Sequence, residues 1–151
     1  MRSLYVLGRV VFGGYFLYNG INHFLNERRM SQYAASKGVG APDAAVTSSG
    51  ALLAAGGLSV LAGVKPKQGL AAIIGFLVPV TLQMHRFWEE TDPERRMNET
   101  INFGKNVALV GAALTMLQIA EPWPISVDGV RAKDEEMFIR LGGRDLRALP
   151  V

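Results

Sequence analysis

Residues 43–64 read DAAVTSSGALLAAGGLSVLAGV. The stretch carries no charge after its first residue. At about 1.5 Å per residue, a helix of this length reaches about 33 Å, enough to cross a hydrocarbon core. Its many small residues disfavour a helix in water but allow close helix contact in lipid. Gly50 and Ala54 have the spacing typical of such contacts. We therefore predict a transmembrane helix here.

Three other stretches, at residues 4–25, 68–88 and 100–120, are also long and predominantly apolar. Pro79 lies inside the 68–88 stretch and predicts a kink there. A water-soluble helical bundle would show one charged face on each helix, whereas residues 43–64 and 68–88 are apolar all round. The pattern favours a membrane protein over a soluble bundle.

The predicted fold is an all-α membrane protein. It consists of a four-transmembrane-helix bundle at residues 1–120 and a short polar C-terminal tail outside the membrane at residues 121–151. Charges concentrate between the apolar stretches and in the tail. The predictions for these segments are a polar connection at residues 26–41, a charged loop at residues 89–99, a turn at Asp128 and Gly129, and one short helix from Asp134 to Leu141.

Composition excludes several classes of function. The chain has no cysteine, which removes disulfides, thiolate metal sites and iron–sulfur clusters. The formal net charge is +3, but the basic residues form no run, so we predict no nucleic-acid partner. No serine lies in a G-x-S-x-G setting and no carboxylates pair within the spans, so nucleophilic catalysis has no support. We predict no metal site and leave open whether the protein is an enzyme.

The direction of the spans brings certain polar residues to one membrane face. Consecutive spans alternate in direction, so the ends of the first and third lie beside the starts of the second and fourth. The residues of this candidate pocket are Asn19, His23, His85, Trp88, Asn102, Lys105 and Asn106. Polar groups within a bilayer usually face the bundle interior or a wet cavity, which predicts a ligand pocket. The alternative is that they are interfacial and contact water and headgroups.

Arg9 is a charge predicted to be buried near the opposite face. A charge at this depth costs at least a few kcal/mol unless it reaches the interface or pairs. Glu121 ends the fourth span on the same face and is a candidate partner for Arg9. Extension of the Arg9 side chain to the interface is the alternative.

Several ordered stretches resemble the DoxX family of bacterial membrane proteins. They are GRVVFGG at 8–14, NGINHF at 19–24, MSQYAASKGV at 30–39, AP at 41–42, HRFW at 85–88, and NFGKN at 102–106 leading into Gly111. The resemblance covers about residues 4–120 and implies a four-helix inner-membrane protein. It implies no single activity: some relatives resemble subunits of a thiosulfate:quinone oxidoreductase, and others are associated with membrane oxidative-stress complexes. The tail after Glu121 has no recognised counterpart.

The favoured function is a non-catalytic membrane scaffold or small-molecule-binding subunit of a membrane-associated complex. The alternative is a quinone-interacting subunit of a membrane oxidoreductase, with donors from the candidate pocket and Phe24, Phe87 and Phe103 as apolar walls. A remote alternative is a small b-type cytochrome with its two histidines as haem ligands. The cofactor is left open, with quinone as the candidate. The expected partners are the lipid bilayer and either a soluble redox partner protein or further copies of the chain.

Orientation follows from the shortest loop. Lys65 and Lys67 lie in a very short connection between two spans, where positive charge most resists translocation. We therefore predict a multi-pass protein of the bacterial inner membrane with both termini in the cytoplasm. The candidate pocket would then open toward the periplasm or the cell exterior.

Overall fold

The fold is built from helices alone within the part of the chain that the structure describes. The computed structural model describes residues 2–140 and contains six helices and no strand in this range. The helices are α1 (Arg2–Leu25), α2 (Glu27–Ser36), α3 (Pro42–Ala62), α4 (Pro66–Met84), α5 (Pro93–Leu117) and α6 (Val127–Arg140). The prediction of an all-α protein is confirmed.

The segment at 89–99 is not a loop throughout, because α5 begins inside it. Asp92 caps this helix: its side chain accepts a 2.8 Å hydrogen bond from the backbone N–H of Arg95. Pro93 follows at the first helical position, where its missing N–H costs nothing. Glu89, Glu90 and Asp92 precede the helix, whereas the charged residues from Glu94 onward form the exposed first turns of α5, with Glu99 the buried exception.

Two other local predictions were also incomplete or wrong. The connection at residues 26–41 contains helix α2, which packs on α3 with Ser31 and Ala34 buried. The turn at Asp128 and Gly129 is wrong, because both residues lie in the first turn of α6. The Ser126 hydroxyl accepts a 3.0 Å hydrogen bond from the Gly129 N–H and so supports this helix start. The helix predicted from Asp134 is confirmed as far as Arg140, and Leu141 lies outside the described residues.

The long helices pack in chain order, α1 on α3, α3 on α4 and α4 on α5, each antiparallel to the next. The closest contact joins α1 to α3 through small residues. A Cβ on Gly20 would lie 2.7 Å from the Gly50 carbonyl oxygen and would collide with the Ala54 backbone. The small residues of α3 therefore allow the close helix contact that their spacing predicted. The core beside them holds Phe16, Leu53, Leu70, Ile73 and Leu77.

Two of the described helices, α3 and α4, are long and apolar enough to cross a membrane. The α1 and α5 helices do not meet the same criterion: α1 contains Arg9, Asn19 and His23, and the first turns of α5 are charged. Pro79 lies inside α4, which continues to Met84. The structure thus confirms a helical bundle containing two apolar spans, and the four-span arrangement is a proposal.

The bundle has two ends with different polar chemistry. One end holds the C-termini of α1 and α4, helix α2, and the starts of α3 and α5, and we call it the Glu99 end. At the opposite end α1 begins and residues 121–128 approach Arg9, and we call it the Arg9 end. Trp123 is only 1 % exposed at the Arg9 end and packs edge-on against Tyr5.

Candidate functional site

A buried carboxylate joins three helices at the Glu99 end. Glu99 lies in the second turn of α5, and its Oε1 accepts a 2.7 Å hydrogen bond from Lys37 Nζ. Its Oε2 lies 2.7 Å from Nδ1 of His85. Lys37 follows the last residue of α2 and His85 follows the last residue of α4. Since both lie at helix ends, one carboxylate fixes the ends of α2 and α4 against α5.

The charges of this cluster stabilise one another. Burial raises the pKa of Glu99, but hydrogen bonds from Lys37 and His85 outweigh it, so the net pKa lies below the ordinary value. The hydrogen bond to Glu99 raises the pKa of Lys37, while desolvation by burial lowers it. A second hydrogen bond, to Glu90 at 3.2 Å, raises the pKa further, so the net pKa lies above the ordinary value. Glu99 and Lys37 are therefore both charged at neutral pH.

Backbone contacts reinforce the same junction. The Lys37 carbonyl oxygen accepts hydrogen bonds from the Gln83 amide at 3.0 Å and from the Arg86 guanidinium at 3.2 Å. Arg86 also pairs with Glu89, but this ion pair is substantially exposed and contributes little. The end of α2 is thus held by side chains from two other segments.

An aromatic group lies next to His85 in the chain. Phe87, Trp88 and Phe103 pack edge to face, with ring centroids 5.1 to 6.0 Å apart. Trp88 is half exposed. Of the α5 pocket candidates, Asn102 and Asn106 are partly buried and Lys105 is exposed. The structure thus brings His85, Trp88 and the α5 segment together, with Phe103 beside Asn102.

His23 and Asn19 have other surroundings. His23 is buried in α1, and its Nδ1 lies 2.7 Å from the backbone oxygen of Asn19. Because that oxygen can only accept, Nδ1 carries the proton. The ring packs edge-on against Phe76 of α4, with the ring centroids 5.9 Å apart. The Asn19 side-chain amide donates a hydrogen bond to the backbone oxygen of Tyr15. The two histidines therefore have separate hydrogen-bond partners, His23 in its own helix and His85 on α5.

Two surface clefts at this end, of about 450 and 380 Å³, lie along α2, and none of the pocket candidates lines either of them. Lys37, Glu90 and Glu99 were missed by the sequence analysis because each was assigned to a connection. The available signal was span direction: the segments at 26–41 and 89–99 lie on the same face as His85. Among residues 2–140 no group of three or more acidic or histidine side chains has the arrangement of a metal site.

Arg9 is buried, at 4 % exposed, and it does not pair with Glu121. Its guanidinium donates to the backbone oxygens of Pro124 at 3.1 Å and Ile125 at 2.7 Å. Glu121 is exposed and accepts a long 3.4 Å hydrogen bond from the Lys67 N–H. The two terminal nitrogens of the guanidinium are therefore hydrogen-bonded to backbone carbonyls of the segment that leads into α6.

The family model DoxX matches residues 4–86, which is more than half of the chain. The chain belongs to the DoxX family. The match covers α1 to α4 and includes Lys37 and His85, whereas Glu99 lies beyond it. Comparisons with curated proteins and with solved structures found no significant match. As a DoxX protein with two helices able to span a bilayer, the chain is a membrane protein.

Proposed function

We propose that this DoxX protein is a non-catalytic, four-span scaffold or small-molecule-binding subunit of a complex in the bacterial inner membrane. The observation that carries the proposal is that charged side chains at both bundle ends bind other parts of the same chain. Glu99, Lys37 and His85 join helix ends, and Arg9 binds backbone carbonyls of the tail. Groups held in this way stabilise a rigid frame.

The exposed faces of α1 and α5 support four spans. Leu4, Leu7 and Val11 of α1 are each at least 60 % exposed, and Val107 and Leu114 of α5 are about half exposed. These helices pack along α3 and α4, so a bilayer crossed by α3 and α4 would cover these apolar faces as well. Covering them is energetically favourable, since each large apolar side chain left in water forgoes about 1.5–3 kcal/mol.

Helix α6 supports a protein partner at the Arg9 end. Met137, Phe138 and Ile139 are 51, 49 and 75 % exposed, and α6 packs extensively on no other described helix. Its base is held in place, because the Asp128 carboxylate accepts a 2.7 Å hydrogen bond from the Lys65 N–H. Because consecutive helical residues point to different sides, a soluble partner would have to enclose this part of α6 to cover all three side chains, and it would be docked on a helix with a fixed base.

The test is purification of the tagged full chain from bacterial membranes in mild detergent. We expect a complex with one partner at fixed stoichiometry and no activity in the isolated chain. Serine at positions 137, 138 and 139 should release the partner, whereas E135Q/E136Q on the same helix should retain it. A monomeric wild-type chain, or an isolated chain that catalyses a reaction, would contradict the scaffold.

A quinone-interacting subunit is the second candidate, favoured by the position of the His85–Glu99 pair near aromatic rings. With Nδ1 directed at Glu99, Nε2 of His85 can take up a proton and donate it to a carbonyl oxygen. Phe87, Trp88 and Phe103 provide flat apolar walls. Quinone should then co-purify and be lost in H85Q, while H23Q retains it. Equal quinone content in wild type and H85Q would rule this candidate out.

We also propose that both termini lie in the cytoplasm, with the Glu99 end outside it. Support comes from Lys65 and Lys67 in the two-helix connection at the Arg9 end. A C-terminal reporter that is active only in the cytoplasm should report activity. A reporter active only outside would reverse the orientation.

A further inference from the structure

A surface cleft of about 450 Å³ opens where α1 gives way to α2. Phe24 and Leu25 form its α1 side, and Arg28, Arg29 and Gln32 form its α2 side. The second cleft, of about 380 Å³, shares Glu27, Arg28 and Gln32 with the first, so these side chains are accessible from two directions. Apolar and cationic side chains are thus adjacent at one helix junction.

The two arginines are not neutralised by the protein. Arg28 and Arg29 are exposed and form no ion pair with any residue in the range 2–140, unlike Arg86 and Arg140, which pair with acids on their own segments. The neighbouring carboxylate of Glu27 instead accepts a 3.3 Å hydrogen bond from Ser31. Two guanidinium groups therefore remain available to an external anion.

The apolar side of the cleft indicates what kind of anion. Phe24 is 47 % and Leu25 is 77 % exposed, and both belong to the last turn of α1. If α1 crosses the bilayer, these side chains lie at the hydrocarbon boundary and the arginines lie one turn farther out. A phospholipid has the same order of groups, with acyl chains next to an anionic phosphate.

The junction is also rigid enough to present these groups together. Only Asn26 interrupts the two helices, and helical hydrogen bonds continue on both sides of it, from the Asn26 N–H to Asn22 and from the Met30 N–H to Asn26, each 3.0 Å. The Asn26 amide also donates to the Asn22 side chain at 2.7 Å. The backbone of the junction therefore needs little ordering when a ligand binds.

We infer that this cleft binds the headgroup of an anionic phospholipid, with Arg28 and Arg29 on the phosphate and Phe24 and Leu25 against the acyl chains. The inference rests on the proposed crossing of the membrane by α1. The guanidinium fork suits the phosphate oxygens, and a lipid with net negative charge binds better than a zwitterionic one because no headgroup cation repels the arginines.

The test is native mass spectrometry of the full chain in detergent, titrated with phosphatidylglycerol or phosphatidylcholine. We expect wild type to prefer phosphatidylglycerol and R28Q/R29Q to bind it roughly tenfold more weakly or worse. The matched control is R95Q/R96Q, an adjacent exposed pair near the start of α5 at the same bundle end, which should stay within about twofold of wild type. Excess inorganic phosphate should not displace the lipid, because it lacks the acyl chains.

Equal affinity of wild type and R28Q/R29Q, or an equal loss in R95Q/R96Q, would overturn the inference. Displacement by inorganic phosphate, or an acidic protein bound in place of lipid, would also overturn it. Partner retention by R28Q/R29Q separates this inference from the proposed scaffold. If R28Q/R29Q loses the lipid preference and retains the partner, the result bears on the cleft. If the α6 variants lose the partner, the result bears on the scaffold. Matching thermal unfolding of both double variants establishes that they are folded.

Discussion

The Arg9 guanidinium donates a 2.7 Å hydrogen bond to the backbone oxygen of Ile125, a residue 116 positions later in the chain. A second bond of 3.1 Å reaches Pro124. Within residues 2–140, the Nε of Arg9, the Tyr5 hydroxyl and the Trp123 Nε1 are buried without a hydrogen-bond partner. Packing around Trp123 and the two Arg9 bonds therefore hold this segment against the bundle.

Replacing Arg9 by methionine should release the segment at 121–128. The change leaves two carbonyl oxygens without donors, and each lost charge-assisted bond costs roughly 1.5–3 kcal/mol. We expect a lower unfolding temperature and faster proteolytic cleavage near Trp123, measured in detergent by thermal unfolding and limited proteolysis. R131M is the matched control, because Arg131 is exposed and lies 3.9 Å from Asp128. Unchanged cleavage in R9M would show that the two Arg9 bonds are not needed to hold the segment.

Glu99→Gln should destabilise the junction of α2, α4 and α5. The amide is neutral and cannot accept from both Lys37 and His85 as the carboxylate does, so we expect a loss of roughly 1–3 kcal/mol. Because the folded pKa of Glu99 lies below its ordinary value of 4.5, its contribution is complete above that value and is lost as pH falls through the folded pKa.

The measurement for Glu99 is thermal unfolding as a function of pH. Wild type should lose stability below about pH 4.5 more steeply than E99Q, so the two curves converge in acid. The control is E94Q, since Glu94 is exposed on the same helix and should leave the profile unchanged. Parallel curves for wild type and E99Q would mean that folding does not lower the pKa of Glu99.

Lys37→Met should show the opposite dependence on pH. The folded pKa of Lys37 lies above its ordinary value of 10.5, so its contribution is complete below that value and is lost as pH rises through the folded pKa. We expect K37M to be less stable than wild type at neutral pH and to approach it in strong alkali. In a double-mutant cycle with E99Q the two effects should not add, because they remove one interaction. Additive losses of stability would contradict a bond shared by Lys37 and Glu99. The control is K105M, because Lys105 is exposed.

The helices could largely be predicted from the sequence, and the polar junctions could not. Gly50 and Ala54 predicted a close helix contact from their spacing alone, and Gly20 is the residue that they meet. Lys37 and Glu99 lie 62 positions apart, in charged segments that look solvated when each is considered alone. Their pairing depends on where α2 ends and α5 begins, which no local pattern specifies. Arg9 was expected to pair with Glu121 or to extend to the interface, and the pairing with Glu121 is wrong. Its acceptors are backbone carbonyls, which leave no signature in a sequence.

Gly20→Ala should disrupt the contact between α1 and α3. The added Cβ would collide with the Ala54 backbone and lie 2.7 Å from the Gly50 oxygen, and a backbone cannot yield as a flexible side chain can. We expect a loss of roughly 1–3 kcal/mol, typical of overpacking. The readout is thermal unfolding in detergent.

The control for Gly20 lies in the same helix. A Cβ on Gly14 would meet only the Leu61 side chain at 3.6 Å, an ordinary van der Waals distance. Alanine also has a higher helix propensity than glycine by up to about 1 kcal/mol, so G14A should be neutral or stabilising. The sign of the effect thus separates close backbone contact from helix propensity, since propensity alone predicts that both variants gain stability. A G20A protein at least as stable as G14A would mean that α1 and α3 lie farther apart than their glycines require.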